Sequence, residues 1–346
     1  MTLGAVLAPE VCPYCTRPLS EQPTNIEHVI PAELGGTIVI RTHSQCNSDV
    51  AKAIDNPLML DPDVQMHRAL SGAHNVRTKK PFRGSQWPGT LPDGAKALLK
   101  ATPKGVTIEQ VAASTPKLDE NGNFVFTMPA DDVENRTTKV LSELQARFPS
   151  KTVSIVAQGE RTALVGIERS WALAPWIWPR FVAKVAAGVL SMAMPPAWRG
   201  SPGELSVLTL LRQGHVQGTV GGVSAVPEQL EHGSSWFDHL YPWEHLIAVT
   251  AHGDHVKVMV VLFGGIRYDL RISSDLVPAG PQAWLCDYRE RDPFVFESVV
   301  ELSTALTQRF AELGSVGIAL RREYPRGQLL GPQVEARFEG MGPEVG

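Results

Sequence analysis

Cys12-Pro-Tyr-Cys15, Glu27-His28-Val29-Ile30-Pro31, Leu34-Gly35-Gly36 and His43-Ser-Gln-Cys46-Asn47 fall within one short N-terminal stretch of a 346-residue chain. Two side chains separated by two residues can grip one tetrahedral cation from a tight turn, and a second such pair completes the shell. The spacing therefore predicts that Cys12, Cys15, His43 and Cys46 close around a structural zinc. A closed shell offers substrate no open position, so the role predicted for this ion is to fold a segment too short to bury a core of its own.

The clip would fix Asn47 relative to Glu27 and His28, which lie between its two halves. A carboxylate and an amide oxygen are hard ligands suited to Mg2+ or Mn2+, and a neutral imidazole beside them can take a proton from water near neutral pH. Those are the parts for phosphodiester hydrolysis. Each part also has a plainer reading. Cys12 and Cys15 alone would suit a redox pair, but the βαβ pattern of a thioredoxin is absent around them. Asn47 could merely cap a short helix over Ser48 to Ile54 that stops before Asn56-Pro57. Asp55 reads as a surface charge rather than an extra ligand.

Taken together these residues resemble the HNH endonucleases, specifically their zinc-ribbon branch, with its CxxC, its Glu-His-x-x-Pro followed by Gly-Gly, and its second ligand pair ending in Cys-Asn. The resemblance covers roughly residues 8 to 65. It implies a ββα-metal module with His28 as general base, Glu27 and Asn47 holding a catalytic divalent ion, and Cys12, Cys15, His43 and Cys46 on the zinc. The implied reaction is hydrolysis of DNA, leaving 5′-phosphate and 3′-hydroxyl ends. The sequence departs from the family in two ways. The bracing asparagine of the family has no counterpart near Thr37-Ile38-Val39, and His43 stands where the family carries a cysteine. Geometry raises a separate point, since neighbours on an ideal strand face opposite ways. Glu27 and His28 would converge on one ion only where the strand ends or bulges, and Pro31 with Gly35-Gly36 suggests such an irregularity.

The length and the 43% hydrophobic content allow a second, larger core. A net charge of -4 excludes a generally basic nucleic-acid binder, so DNA contact would come from a local patch such as Arg77, Lys79, Lys80 and Arg83, which reads equally as a solvated linker. Cys286 is the one cysteine outside the motif, so no disulfide framework is predicted. The N-terminus has no signal-like pattern, and the apolar stretch Leu173 to Met194 is interrupted by Pro175, Pro179, Arg180 and Lys184. The expected location is the cytoplasm, without a membrane partner.

The predicted architecture is α+β: an HNH module over 1–80, a linker over 81–93, an α+β domain over 94–325 and a flexible tail over 326–346. Within the larger domain, strands are predicted at Gly105 to Val111, Asn123 to Met128, Thr152 to Ala157 and Thr162 to Ile167, and helices at Asp131 to Phe148, Trp178 to Met194, Pro202 to Leu211 and Phe296 to Leu313. Turn signals at His252-Gly253-Asp254 and Gly264-Gly265 predict an antiparallel meander from His245 to Ile272. His239, His245, His252 and His255 lack ligand-type pairing and read as structural or surface groups. Trp171, Trp176 and Trp178 read as core or interface filling rather than a base-stacking platform.

The expected function is a metal-dependent DNA endonuclease whose larger domain selects substrate, senses a small molecule or binds a protein partner, in bacterial defence or mobile-element biology. The competing class is a zinc ribbon that binds nucleic acid or protein without cutting. A third is a cutter of RNA.

Overall fold

The computed structural model describes residues 10–73, 75, 78, 85–91, 95–110, 117–118, 124–125, 133–147, 149, 177–213, 223–226, 240–241, 243–290 and 292–309. The basic cluster Arg77, Lys79, Lys80 and Arg83, the strands expected over 152–167, Trp171, Trp176, His239 and the tail over 326–346 lie outside the described residues.

Strand β1 (Thr24–His28) pairs antiparallel with β2 (Val39–His43) in unbroken register from Thr24↔His43 to His28↔Val39. Helix α1 (Ser44–Val50) follows directly, then a π turn over Ala51–Asp55 and α2 (Asn56–Met59). The helix expected from Ser48 thus begins at Ser44 and runs through Asn56-Pro57. A proline in a regular helix collides with the carbonyl four residues back. The wider turn over Ala51–Asp55, separated from Pro57 by Asn56 alone, opens that spacing.

Helix α3 (Pro62–Ser71) has a full set of end signals. Asp61 Oδ1 accepts from the backbone N–H groups of Asp63 (2.9 Å) and Val64 (3.2 Å), Pro62 opens the first turn, and Gly72 at φ 69° ends it. Strands β3 (Ser85–Thr90), β4 (Lys96–Thr102) and β5 (Gly105–Gln110) form a three-stranded sheet, and β6 (Lys117–Leu118) pairs with β7 (Phe124–Val125). Helix α4 spans Val133–Arg147.

Helix α5 (Ile177–Ala193) is apolar on all sides, and Phe181, Val182, Val185, Val189 and Leu190 are buried around its circumference. After α6 (Pro202–Gln213) come β8 (Val223–Val226), β9 (Glu244–His252), β10 (His255–Leu262), β11 (Ile266–Ser273), β12 (Ala283–Asp287), β13 (Phe294–Phe296) and a helix α7 over 299–309. The sheet order is β13-β12-β9-β10-β11-β8, antiparallel at every pairing, with β9, β10 and β11 forming the meander. Both faces are covered. Ile247, Val249, Val258 and Val260 join α5, α6 and the β1–β2 hairpin in one core, while Leu246, Ala248, Met259 and Val261 pack with Leu302 and Leu306 of α7. This double burial accounts for the consecutive apolar residues from Val258 to Leu262.

One division between the compact units, at Ser85 and Gln86, falls inside the linker expected over 81–93, at the start of β3. Described residues of 10–85, 101–105 and 177–309 form one unit, and those of 86–100 and 106–149 belong to a second. The reason is the core itself: Cys12, Val29, Leu34 and Ile40 of the N-terminal module share one apolar cluster with Phe181, Val260 and Trp284. The closeness is measurable at Gly188, where an added Cβ would lie 3.1 Å from Val29 Cγ2 and 3.3 Å from Ile40 Cδ1. Among the described residues, no helix is long and apolar enough to cross a membrane.

Candidate functional site

The ligand atoms of Cys12, Cys15, His43 and Cys46 all lie within 4.8 Å of one another. A tetrahedral zinc with Zn–S near 2.3 Å separates its ligands by about 3.8 Å, so this cluster has the size and donor set such an ion requires. Cys12 and Cys15 sit on the turn before β1, His43 closes β2, and Cys46 lies in the first turn of α1. The imidazole is set for ligation. Its Nε2–H donates to the Pro18 carbonyl at 2.9 Å, which leaves Nδ1 as the lone-pair nitrogen, 3.3 Å from Cys15 Sγ. Burial, then the nearby Cys12 sulfur, pushes the Cys46 thiol up to about 12. Burial works the same way on Cys15, but the Arg17 backbone N–H, the Arg17 side chain and His43 outweigh it and bring that thiol down to about 7. Thiols crowded this closely resist ionising together, and a divalent cation relieves the crowding.

The predicted catalytic residues point in different directions. Glu27 is 5% exposed and turns inward, where its Oε1 lies 2.7 Å from Lys184 Nζ. The same ammonium donates to Asp55 Oδ1 at 2.9 Å, to Asp55 Oδ2 at 2.8 Å and to the His28 carbonyl at 3.1 Å. Lys184 is fully buried, and burial pulls its pKa down, but Asp55 and Glu27 outweigh that and hold it above the usual value. Asp55 is therefore not a surface charge; the π turn presents it to α5. Asn47 donates from Nδ2 to Asn25 Oδ1 at 3.0 Å and to the Ile26 carbonyl at 3.4 Å. Nor does β1 bulge to bring Glu27 and His28 to one face, since its register is regular through His28. As these side chains stand, they do not fit a Mg2+ or Mn2+ shared by Glu27 and Asn47, because the carboxylate already faces an ammonium of the chain itself.

His28 closes β1, and its Nδ1 lies 2.8 Å from the Gly36 carbonyl. A carbonyl can only accept, so Nδ1 carries the proton and Nε2 is the basic nitrogen of the neutral ring. The acceptor belongs to a tight loop. Leu34 N bonds Pro31 O at 2.9 Å, Gly35 N bonds Ala32 O at 3.1 Å, and Gly36 N bonds Pro31 O at 3.3 Å. A Cβ on Gly36 would fall 2.0 Å from the Ile30 carbonyl oxygen, so the loop closes only around a residue without one.

Compared with known protein families, with curated proteins and with solved structures, the chain matches none.

The tryptophan and histidine expectations are resolved for the described members. Trp178 donates to Asp61 Oδ2 at 3.1 Å and stacks on Tyr268 at 4.5 Å, which ties α3, α5 and β11 together. His252 and His255 stack at 5.4 Å by the β9–β10 turn, and His255 bonds Asp254. His245 is a buried core group. Sequence reasoning missed Lys184 as a partner of Glu27. The available signal was a single ammonium amid the apolar run Phe181 to Leu190, which must find carboxylates if the helix is buried on all sides.

Proposed function

We propose that the N-terminal hairpin and helix form an HNH-type endonuclease site that hydrolyses DNA phosphodiester bonds, with His28 as general base. The observation that carries this reading is the Nδ1–H of His28 on the Gly36 carbonyl, which presents Nε2 as the proton acceptor for an attacking water. The zinc clip and the β1–β2–α1 order support it, because they pin the strand that ends in His28 against the helix that follows the clip. The clip is the structural half of the site, and its ion stays out of the reaction.

A second reading is favoured by a specific observation, the pairing of Glu27 with Lys184. It makes the module a zinc-stapled nucleic-acid or protein binder that does not cut. Supercoiled plasmid incubated with Mg2+ or Mn2+ separates the two. The nuclease reading expects nicking by the parent and a loss of roughly 10²- to 10⁴-fold in His28→Ala. Equal rates for parent and variant would remove His28 from the chemistry, and DNA retention without nicking by either would establish the binding module. The same assay on structured RNA tests the polymer.

A further inference from the structure

The loop that aims His28 is gripped from the sheet. Among its carbonyls, that of Leu34 accepts from His245 Nε2 at 2.7 Å, across a long separation in the chain. His245 sits near the start of β9, on the sheet face that packs against the N-terminal module, and is fully buried. Its tautomer is fixed from both sides. Nδ1 accepts from the Phe263 backbone N–H at 3.1 Å, which leaves Nε2 as the donor that the Leu34 carbonyl requires. Phe263 stands at φ 53°, a left-handed conformation that bulky residues rarely adopt, and its ring meets the imidazole edge-on at 4.8 Å. The β10–β11 turn is thereby held on the same imidazole. On the loop side there is no slack: Gly35 has φ 96°, and a Cβ there would fall 2.6 Å from Tyr288 Cβ and 3.7 Å from His245 Nε2.

We infer that His245 is the positioning residue for His28, holding the Leu34-Gly35-Gly36 turn against β9 so that the Gly36 carbonyl fixes the direction of the His28 ring. The proposal rests on the reading of His28 as general base, but its geometric content stands apart from activity. Without the Leu34 bond the turn loses its tie to β9, and displacements on the order of 1 Å are enough to cost catalysis roughly a hundredfold. Because His245 is fully buried, away from any surface that DNA could meet, the loss falls on the aim of the base and leaves DNA binding alone.

The test compares His245→Leu, His245→Gln and His245→Asn with the parent by plasmid-nicking kinetics and by the NMR signal of the His28 Nδ1 proton. Leucine keeps an apolar body without a donor, glutamine carries an N–H to the Nε2 position, and asparagine stops short of it. The expected result is that His245→Leu lowers kcat roughly ten- to hundredfold at unchanged KM and loses the His28 ring-proton signal to solvent exchange, with both regained in His245→Gln. A folded His245→Leu with parental kcat and an undisturbed ring signal would overturn the inference. If His245→Leu fails to fold, glutamine and asparagine decide it: recovery by glutamine alone supports the assignment, and identical behaviour of the two overturns it. If the parent nicks no faster than His28→Ala, the base reading fails on its own, and the ring signal across the same variants still decides the positioning role.

Discussion

The β1–β2 hairpin is held at two places by opposite electrostatic strategies. At its outer end three thiols and an imidazole converge within 4.8 Å and call for a positive ion from solution. At its inner end two carboxylates, Glu27 and Asp55, converge on Lys184, an ammonium the chain supplies itself. Both ends gather anionic or electron-rich groups that would repel one another if left alone. An outer grip closed by such an ion would depend on the metal content of the medium, whereas the inner one is encoded entirely in the sequence and is present whenever α5 is docked.

The largest effect should come from breaking the outer grip. Structural zinc in small domains contributes apparent binding energies of roughly 10–16 kcal/mol, so chelation or Cys15→Ser should abolish hydrogen-exchange protection over β1, β2 and α1 and release one equivalent of metal. A protein that carries no zinc, and whose exchange pattern ignores the chelator, would end the comparison.

Breaking the inner grip should cost less. Lys184→Met leaves two buried carboxylates without their counter-charge, and removing one partner of a buried ion pair costs about 3–5 kcal/mol in denaturant unfolding. Adding Glu27→Gln and Asp55→Asn to that variant should restore part of the loss, because the repulsion left behind is between those two side chains. A Lys184→Met penalty below about 1 kcal/mol would mean the ammonium is a passenger.

The smallest effect sharpens the boundary between module and sheet through pH. Burial pushes His245 down to about 4, from an ordinary value of 6.5. As pH falls, the unfolded chain takes up the proton near 6.5 while the folded protein resists until about 4. Stability is therefore undiminished above the upper value, declines between the two, and is constant in this respect below the lower one. The full loss is about 3 kcal/mol, and because glutamine does not titrate, it should appear as the difference between parent and His245→Gln melts across that window.

Much of the fold was legible because its signals are local. The meander follows from glycine turns at 253 and 264–265, and α5 from the spacing of Phe181, Val185 and Val189. The four clip residues were legible for the same reason, since ligand spacing is a property of a few consecutive residues. The rest was set by tertiary partners that local patterns do not carry. Lys184 read as an interruption in an apolar stretch because its acids lie far away in the chain, Asp55 being 129 positions distant. The composition around residues 81–93 that marked a linker is likewise silent on Val29 and Ile40 packing beside Gly188. His245 read as one of four scattered histidines, and only the sheet register distinguishes it from His252 and His255 on the adjoining turn.

The π turn over Ala51–Asp55 makes chain length itself a structural quantity. One residue more or fewer in a helix shifts the angular phase of everything after it by about 100°. A deletion there would yield a more regular helix that carries Asp55 around the axis and away from the ammonium. Outside Ile54 and Asp55 the segment should accordingly drift in composition while remaining fixed in its count of residues, a constraint of phase added to that of two side chains.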